Sequence, residues 1–500
     1  MELKQIKENN KYDYCIIGAG PSGLTLAYLF SSIGKKCIII DDNKDTGGCH
    51  RVNRINGLFS EHGPRIYSNS FKNVIRLLKT MDIDFYKLFT PYKFTISNIG
   101  NFSLKNFNYT ELKSFVLHYL YMILKPDHGK NVSMKHFMDT NLFKNNTKDY
   151  IDRLCLLTDG ANSNNYSLNK FFQLVNQQFL HTIYQPKNPN DLSLFRLWKQ
   201  KLIANKVDIL LNTTVIKLEG NIDKITYIKV YNKTSDTYFN ISADKFVICV
   251  PPKPLLKLLL SNNIYNNSFG DIQSFTNWVY KSSYTNYIPI TFHWDRYIKL
   301  GNIWGFPKTE WGIAFIVLSN YMKFNDKRSQ VVISTCVTKL DSKSLFINKT
   351  ANQCNEIELK QEVLRQLKIS FSNLPEPSYI VINPNVNKIN NNWIEPDTAF
   401  IQTYNNSFLK SKSDVTKNLY QVGTQNGNSQ YSFTTMETAI TNSIVFANEL
   451  EKDTCKIITK TNSIELNDIL RIIFILVLIL FISKIIIKNN YKKYKKQVNK

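Results

Sequence analysis

The sequence predicts an α/β chain in which a doubly wound domain is interleaved with an α+β domain and followed by a C-terminal transmembrane helix. Three observations predict it. A glycine-punctuated turn stands between an apolar strand and a helix near the N-terminus. Strand-like and helix-like segments then alternate along the chain. An almost wholly aliphatic run closes it.

The first observation is the most specific. The segment YDYCIIGAGPSGLTLAYLFSSIGKKCIIIDD gives a strand over Tyr12–Ile17, a helix over Pro21–Ile33 and a second strand over Lys36–Asp41. Gly18, Gly20 and Gly23 occupy the G-x-G-x-x-G spacing between strand and helix. In a Rossmann-like unit the first glycine makes the tight turn, the second admits a diphosphate to the backbone, and the third lets helix pack on strand. The helix N-terminus, with Pro21 and Ser22, offers unspent N–H groups and a partial positive charge to that diphosphate. Asp41, ending the second strand about 20 residues past the glycines, is placed to accept from a ribose diol.

The rest of the chain follows in order. Leu104 to Phe195 is mostly helical, with three- and four-residue apolar spacing in Leu112–Leu124. Lys206–Val250 is rich in short strands. Strands dominate again over Tyr280–Ile382, around a helix at Glu356–Leu367. Asp453–Asn467 reads as a polar linker. Ile469–Ile487, ILRIIFILVLILFISKIII, is apolar on every side and about 28 Å long as a helix, enough for a bilayer core. Arg471 and Lys484 near its ends are expected to snorkel. The first eleven residues are polar and carry no secretory signal, so the expected arrangement is a single C-terminal anchor with the body on the cytosolic side. The basic tail beyond the anchor runs against the positive-inside rule in that orientation.

Composition narrows the functional classes. The chain has 500 residues, 43% of them apolar, and a net charge of +24, six of whose lysines lie in the last 13 residues. Heavy Lys and Asn usage accounts for that balance, and no zinc-finger, helix-turn-helix or RNA-binding motif accompanies it, so no nucleic-acid partner is expected. Eight cysteines without a C-x-x-C pair suit buried thiols in a reducing compartment. No metal-ligand set and no Ser–His–acid set stands out. His50, His62 and His293 near the motif segments read as structural, and no catalytic residue is assignable.

Beyond the glycine turn, Asp45–Gly48 reads DTGG, Phe59–Tyr67 reads FSEHGPRIY, and Leu211–Leu218 followed by Asp244–Pro252 reads LNTTVIKL and DKFVICVPP. Asn418–Ala447 reads NLYQVGTQNGNSQYSFTTMETAITNSIVFA. Together with IIGAGPSGL and Asp41, these segments resemble the flavin-containing amine oxidoreductase superfamily, which includes monoamine oxidases, protoporphyrinogen oxidase and phytoene desaturases. The resemblance implies FAD rather than NAD. It implies that Gly47 and Gly48 close a loop on the pyrophosphate, that Gly63 and Pro64 lie beside the flavin ring, and that Val215 contacts adenine through its backbone. It further implies that Gly423 and Thr424 end a strand of the FAD domain, and that Thr435 and Met436 start a helix facing the flavin N1–C2 region. Trp393, in NNWIEPDTAF, stands where a tryptophan of the family often approaches the flavin, and equally suits a core position.

By the same resemblance, residues 12–95, 200–260 and 413–452 form the FAD domain. Residues 96–199 are a helical insert of the substrate domain and 261–412 its mixed sheet. Residues 453–467 are the linker, 468–488 the anchor and 489–500 the basic tail. The implied activity is hydride transfer from a small organic substrate to flavin N5, with oxygen or another acceptor reoxidising the flavin. Two departures are visible. The strand expected at Tyr287–Trp294 has no lysine of the amine-oxidase kind, and Gln425–Phe433 has no cysteine to tether a flavin, so FAD is expected to be non-covalent. A non-redox flavoenzyme of the UDP-galactopyranose mutase type, or an inactive flavoprotein scaffold at a membrane, are the alternatives.

Overall fold

The computed structural model describes residues 11–63, 65–93, 95–97, 107–284, 287–305, 308–394, 400–404, 406–432, 434–452 and 458–498. Pro64, a predicted site residue, lies outside them.

A parallel sheet forms around the N-terminal strand. Strand β1 (Lys11–Ile17) pairs with β2 (Cys37–Ile40) on one side and β12 (Thr237–Ile248) on the other. Strand β9 (Asp208–Leu210) extends the β2 side, and β22 (Leu419–Gln421) pairs with the end of β12, all parallel. Three separate stretches of chain therefore build one sheet. The first half of β12 turns antiparallel to β11 (Lys224–Asn232), which pairs with β10 (Thr213–Asn221).

Helices α1 (Pro21–Ser32), α2 (Lys72–Thr80), α3 (Phe85–Leu88), α8 (Leu194–Ala204) and α12 (Met436–Leu450) share the core on one face of this sheet. The other face is not simply wound with helices as the sequence predicts. The β10–β11 hairpin and helices α9 (Pro252–Leu260) and α10 (Ile272–Lys281) cover it together. Leu218, Ile225, Ile228 and Val230 on the hairpin supply the apolar cover that a crossover helix would otherwise bring.

A second sheet has the order β18 (Tyr379–Ile382), β14 (Ile288–Trp294), β17 (Val331–Val337), β16 (Ile313–Val317), β15 (Ile303–Gly305) and β7 (Thr95–Ser97). Alternation along its strands gives two faces. Ile290, Phe292, Ile313, Phe315 and Ile333 pack behind it on α11 (Glu356–Leu367). Thr291, His293, Val332, Ser334 and Cys336 point forward, where β4 (Leu58–Glu61), hairpin partner of β3 (Val52–Ile55), crosses them. Trp393, on β20 (Asn392–Ile394) paired with β19 (Asn387–Ile389), belongs to the rear core, away from the glycine turn. Its structural reading therefore holds.

Helices α4 (Tyr109–Leu124), α5 (Met134–Thr140), α6 (Asn145–Asp159) and α7 (Leu168–Leu180) form the insert. Its aromatic core centres on Phe115 against Phe137, Phe143, Phe171 and Phe172. A three-stranded sheet, β5 (Tyr67–Ser68), β8 (Ile183–Pro186) and β6 (Phe89–Pro91), and a pair, β13 (Ser283–Tyr284) and β21 (Phe400–Ile401), complete the strands named here.

The expected polar linker behaves differently. Residues 453–457 lie outside the described residues, but 458–465 are strapped to the body. Asn73 exchanges hydrogen bonds with the backbone of Thr461, Ser463 N–H donates to Gln430 Oε1 at 2.8 Å, and Ile458 is buried. Polar side chains here find fixed partners, so polarity did not signal freedom. Helix α13 runs from Leu466 to Val498, longer than the expected anchor, and its Leu466–Asn489 stretch is apolar and unburied. Arg471 does not point away from the body as a snorkelling residue would. Its Nε donates to the Ile123 carbonyl at the end of α4, at 2.6 Å.

Candidate functional site

The glycine turn sits where the C-terminal ends of the parallel strands open. Gly18 has φ +113°, and a Cβ there would lie 2.6 Å from the Cys249 carbonyl oxygen. A Cβ on Gly23 would lie 1.9 Å from the Gly18 oxygen, so α1 can approach β1 only with glycine there. Gly20 is different: a Cβ on it would meet only the Gly48 Cα, at 3.7 Å. No protein atom near Gly20 therefore requires glycine, and the room beside it is of the kind a ligand close to the backbone needs.

Gly20 caps α1 without a side-chain bond, Pro21 has no N–H to satisfy, and the first turn carries no acid. The first intrahelical bond runs from Leu24 N–H to the Gly20 carbonyl, at 3.0 Å. The Ser22 and Gly23 amides precede it and are free of it, as expected at an anion-binding N-terminus.

The loop bearing Gly47 and Gly48 closes on this turn. Gly47 N–H donates to the Ala19 carbonyl at 2.8 Å, and a Cβ on Gly48 would lie 3.1 Å from the Gly20 Cα. Asp41 is nearly buried and already engaged. Its Oδ2 accepts from Ala19 N–H at 2.7 Å. Its Oδ1 accepts from the Asn43 backbone at 2.9 Å, the Asn43 side chain at 3.0 Å and Arg51 Nη2 at 3.3 Å. A carboxylate has about four lone-pair sites, so Oδ2 retains acceptor capacity. Arg51, buried and also held by the Asp45 carbonyl at 2.7 Å, is a residue the sequence reading missed. A basic residue just past a glycine pair is the signal that could have found it.

The remaining predicted residues assemble around the same edge, with one more distant. Val215 follows Thr213, whose N–H donates to the Asp41 carbonyl at 2.9 Å. Gly423 leaves β22 and is held through its carbonyl by Asn442 of α12, at 2.7 Å. Thr424 is partly exposed beside it. Thr435 caps α12 by accepting the Thr438 N–H at 3.0 Å, and Met436 is buried. That cap spends one amide of the helix terminus that the resemblance directs at the flavin. Ser443, in the middle of α12, donates to the Ser22 carbonyl at 3.2 Å, which ties the first turn of α1 to α12. Gly63 is farther out, over the second sheet, where a Cβ would lie 3.2 Å from Cys336 Sγ.

Phe59 and Arg65 reach the second sheet and the glycine pair respectively. Arg65 donates to the Cys49 carbonyl beside the glycine pair, and His50 Nδ1 stands 3.2 Å from the Tyr67 hydroxyl. Glu61 faces Ser334 on the second sheet, and among the described residues its Oε1 has no hydrogen-bond partner. Burial pushes its carboxyl up to about 7, with Arg65 and Ser334 opposing. Burial, then Arg65 and His62, hold His50 well below the ordinary imidazole value, so it is neutral. His293 is lowered to about 4 by burial and bridges Ser329 and the Phe59 carbonyl, which fits its structural reading.

A cleft of about 640 Å³ opens above this cluster, with Tyr92 and Tyr321 packed edge to face in its wall. Tyr321 feels the charges of Glu61 and Tyr67. Lys93, Lys187 and Lys323 line the cleft along with Asn188, Asn302 and Asn320, and among the described residues no acidic side chain does.

Residues 16–81 match the family described as NAD(P)-binding Rossmann-like domain. Among solved structures, an oxidoreductase from Methanosarcina mazei superposes with a TM-score of 0.61 at 14% identity, over 87% of this chain and 99% of that one. Putrescine oxidase superposes at 0.58 and 16% identity, over 89% and 99%. Cyclohexylamine oxidase from Brevibacterium oxydans superposes at 0.57 and 12% identity, over 88% and 100%. The chain shares the overall fold of these solved structures. That bears out the resemblance at the level of the fold, and it extends over the insert and second sheet, where the sequence motifs are sparse. Among curated proteins, UDP-galactopyranose mutase of Mycoplasma pneumoniae is 29% identical over 73 residues, 14% of this chain and 18% of the mutase. This chain thus matches less than a fifth of that protein's length.

Proposed function

We propose that the chain is a FAD-dependent oxidoreductase that holds its cofactor non-covalently and oxidises a small organic molecule. The observation that carries the reading is the open space at Gly20 beside uncapped amides of α1, a cradle that a Cβ would fill and that fits a diphosphate. Gly18, Gly20, Pro21, Ser22 and Gly23 would hold the diphosphate and Gly47 and Gly48 close over it. Buried Arg51 adds positive charge nearby. Asp41 would meet the ribose with its remaining acceptor capacity, and Val215 the adenine. Gly63, Pro64, Gly423, Thr424, Thr435 and Met436 would border the flavin. The domain division is proposed as 12–95, 200–260 and 413–452 for the cofactor, with 96–199 and 261–412 for the substrate.

Bound there, FAD would supply the hydride acceptor, flavin N5. The chain's own residues do the rest. The Thr291–Ser334 face of the second sheet, crossed by β4, would border the substrate. Glu61, with a near-neutral carboxyl, is placed to hold or release a proton at Oε1. Three lysines without a balancing acid at the cleft favour a substrate that is neutral or anionic at its outer end over a diamine. Oxygen or another external acceptor would complete the cycle. The mutase reading is less favoured, because that likeness is confined to 73 residues. We further propose that α13 anchors the chain in a membrane with the body on the cytosolic side.

Full-length protein purified in detergent from flavin-replete cells should be yellow and release FAD on denaturation. A colourless product would overturn the cofactor assignment. Flavin bleaching with at least one member of a panel of carboxylates, porphyrinogens, polyenes and amines under anaerobic conditions would support the redox reading. A flavin that none of them reduces would favour the scaffold.

A further inference from the structure

Helix α4 is built inside out for a water-facing helix. Its inner side packs Phe115, Met122 and Ile123 into the insert core, and Tyr119 donates to Asn176 Oδ1 at 2.6 Å. Its outer side is expected to be polar. Instead Val116, Leu117, Leu120, Tyr121 and Leu124 stand there between 43 and 56% exposed. Their three- and four-residue spacing makes one continuous stripe along the helix. Exposed Lys113 and Lys125 bracket it. A run of this kind on a folded surface marks a contact with something apolar.

The structure also indicates what that something is. The stripe ends where α13 leaves the body. The Ile123 carbonyl, next to Leu124, receives Arg471 Nε at 2.6 Å, and Asn176 Nδ2 donates to Asn467 Oδ1 at 3.0 Å. The 24-residue apolar stretch of α13 begins at Leu466, so its base and the end of α4 share one place. Both ends of that junction are fixed by hydrogen bonds to protein, which keeps α4 close to any bilayer that α13 enters.

We infer that the outer face of α4 is a second membrane contact. It lies in the interfacial layer of the leaflet through which α13 enters, with Lys113 and Lys125 at lipid headgroups. The apolar stripe supplies burial among acyl chains and the two lysines supply attraction to anionic lipid. The inference rests on α13 being a membrane anchor.

The full chain is reconstituted into phosphatidylcholine–phosphatidylserine vesicles, and an environment-sensitive fluorophore is attached at Leu120→Cys, with Leu117→Cys as a second position. Tyr238→Cys, at the exposed start of β12, is the water-facing control, and unsubstituted protein gives the labelling background. Flotation is scored first. The expected result is flotation, a drop of about twofold in emission at positions 117 and 120 with acyl-chain spin-labelled lipid, and little quenching there by aqueous iodide. The control should show the reverse. Failure to float would overturn the anchor together with the inference. Flotation with iodide quenching at 117 and 120 equal to the control would overturn the inference alone. So would shielding from both quenchers, which would mean a protein cover.

Discussion

Replacing Gly20 by alanine, alongside Gly23 by alanine, separates a glycine kept for a ligand from one kept for packing. At Gly20 the added Cβ meets only a Cα at 3.7 Å, an ordinary contact, and the backbone φ of −77° suits any residue. The loss of folding stability should therefore stay within about 1 kcal/mol, the cost of a poorer helix cap. The same Cβ would stand in the space assigned to the diphosphate. Losing one backbone-to-phosphate approach should weaken FAD binding by about tenfold to a hundredfold, or about 1.4–2.8 kcal/mol. At Gly23 the added Cβ would lie 1.9 Å from a carbonyl oxygen and 3.1 Å from its carbon, so α1 must retreat from β1. Overpacking of that kind costs about 1–3 kcal/mol even after relaxation. Apo protein melted with and without added FAD, and titrated with FAD by fluorescence, reads both quantities. Gly20→Ala should melt near the parent without FAD and gain little from it. Gly23→Ala should melt lower in both. A Gly20→Ala protein that binds FAD with the parent's affinity would refute the placement of the diphosphate and the cofactor reading with it.

Other outcomes follow from the same geometry. Removing Arg51 from its buried pair with Asp41, as Arg51→Ala, should cost about 3–5 kcal/mol by chemical denaturation, because a buried carboxylate loses its cation; Arg51→Lys should recover part of it. Glu61, raised from 4.5 to about 7 in the fold, binds its proton more tightly folded than unfolded. Its contribution is thus intact below pH 4.5 and lost as pH rises through 7, by roughly 3 kcal/mol. Glu61→Gln in ligand-free protein should flatten the stability profile between those two values, and an unchanged slope would exclude Glu61 as its source. Lys323→Glu should lower kcat/KM for an anionic substrate several-fold and raise it for a cationic one, with both effects shrinking at high salt. Equal effects on both charges would argue against the cleft as the entry.

What the sequence makes legible here is whatever depends on near neighbours. Helix α11 begins at Glu356 and ends at Leu367, as its pattern predicts, because Asn355 and Glu358 form a capping box at its start. The β1–turn–α1–β2 unit reads clearly because its strand, glycine spacing and helix are contiguous: Gly23 answers to the Gly18 oxygen five residues back, although Gly18 itself abuts Cys249 far along the chain. Other features depend on partners far along the chain. The wall of the candidate substrate site forms only when β4 crosses β14 and β17, more than 200 residues later, and neither Glu61 nor Ser334 carries a local mark of that meeting. The strap after α12 reads as a polar linker because polar residues look alike whether water or Asn73 satisfies them. Trp393 suited two environments until strand pairing placed it behind the second sheet. Arg51 lies between these cases. Its partner Asp41 is ten residues away, but only the fold of the Gly47–Gly48 loop turns it inward. The cofactor half of the site is thus written mostly in local sequence, and the substrate half in long-range pairing. That division explains why sequence motifs reach the proposed cofactor but stop short of naming a substrate. It also points to the cleft's three lysines and Glu61 as the residues whose substitution would next narrow the substrate.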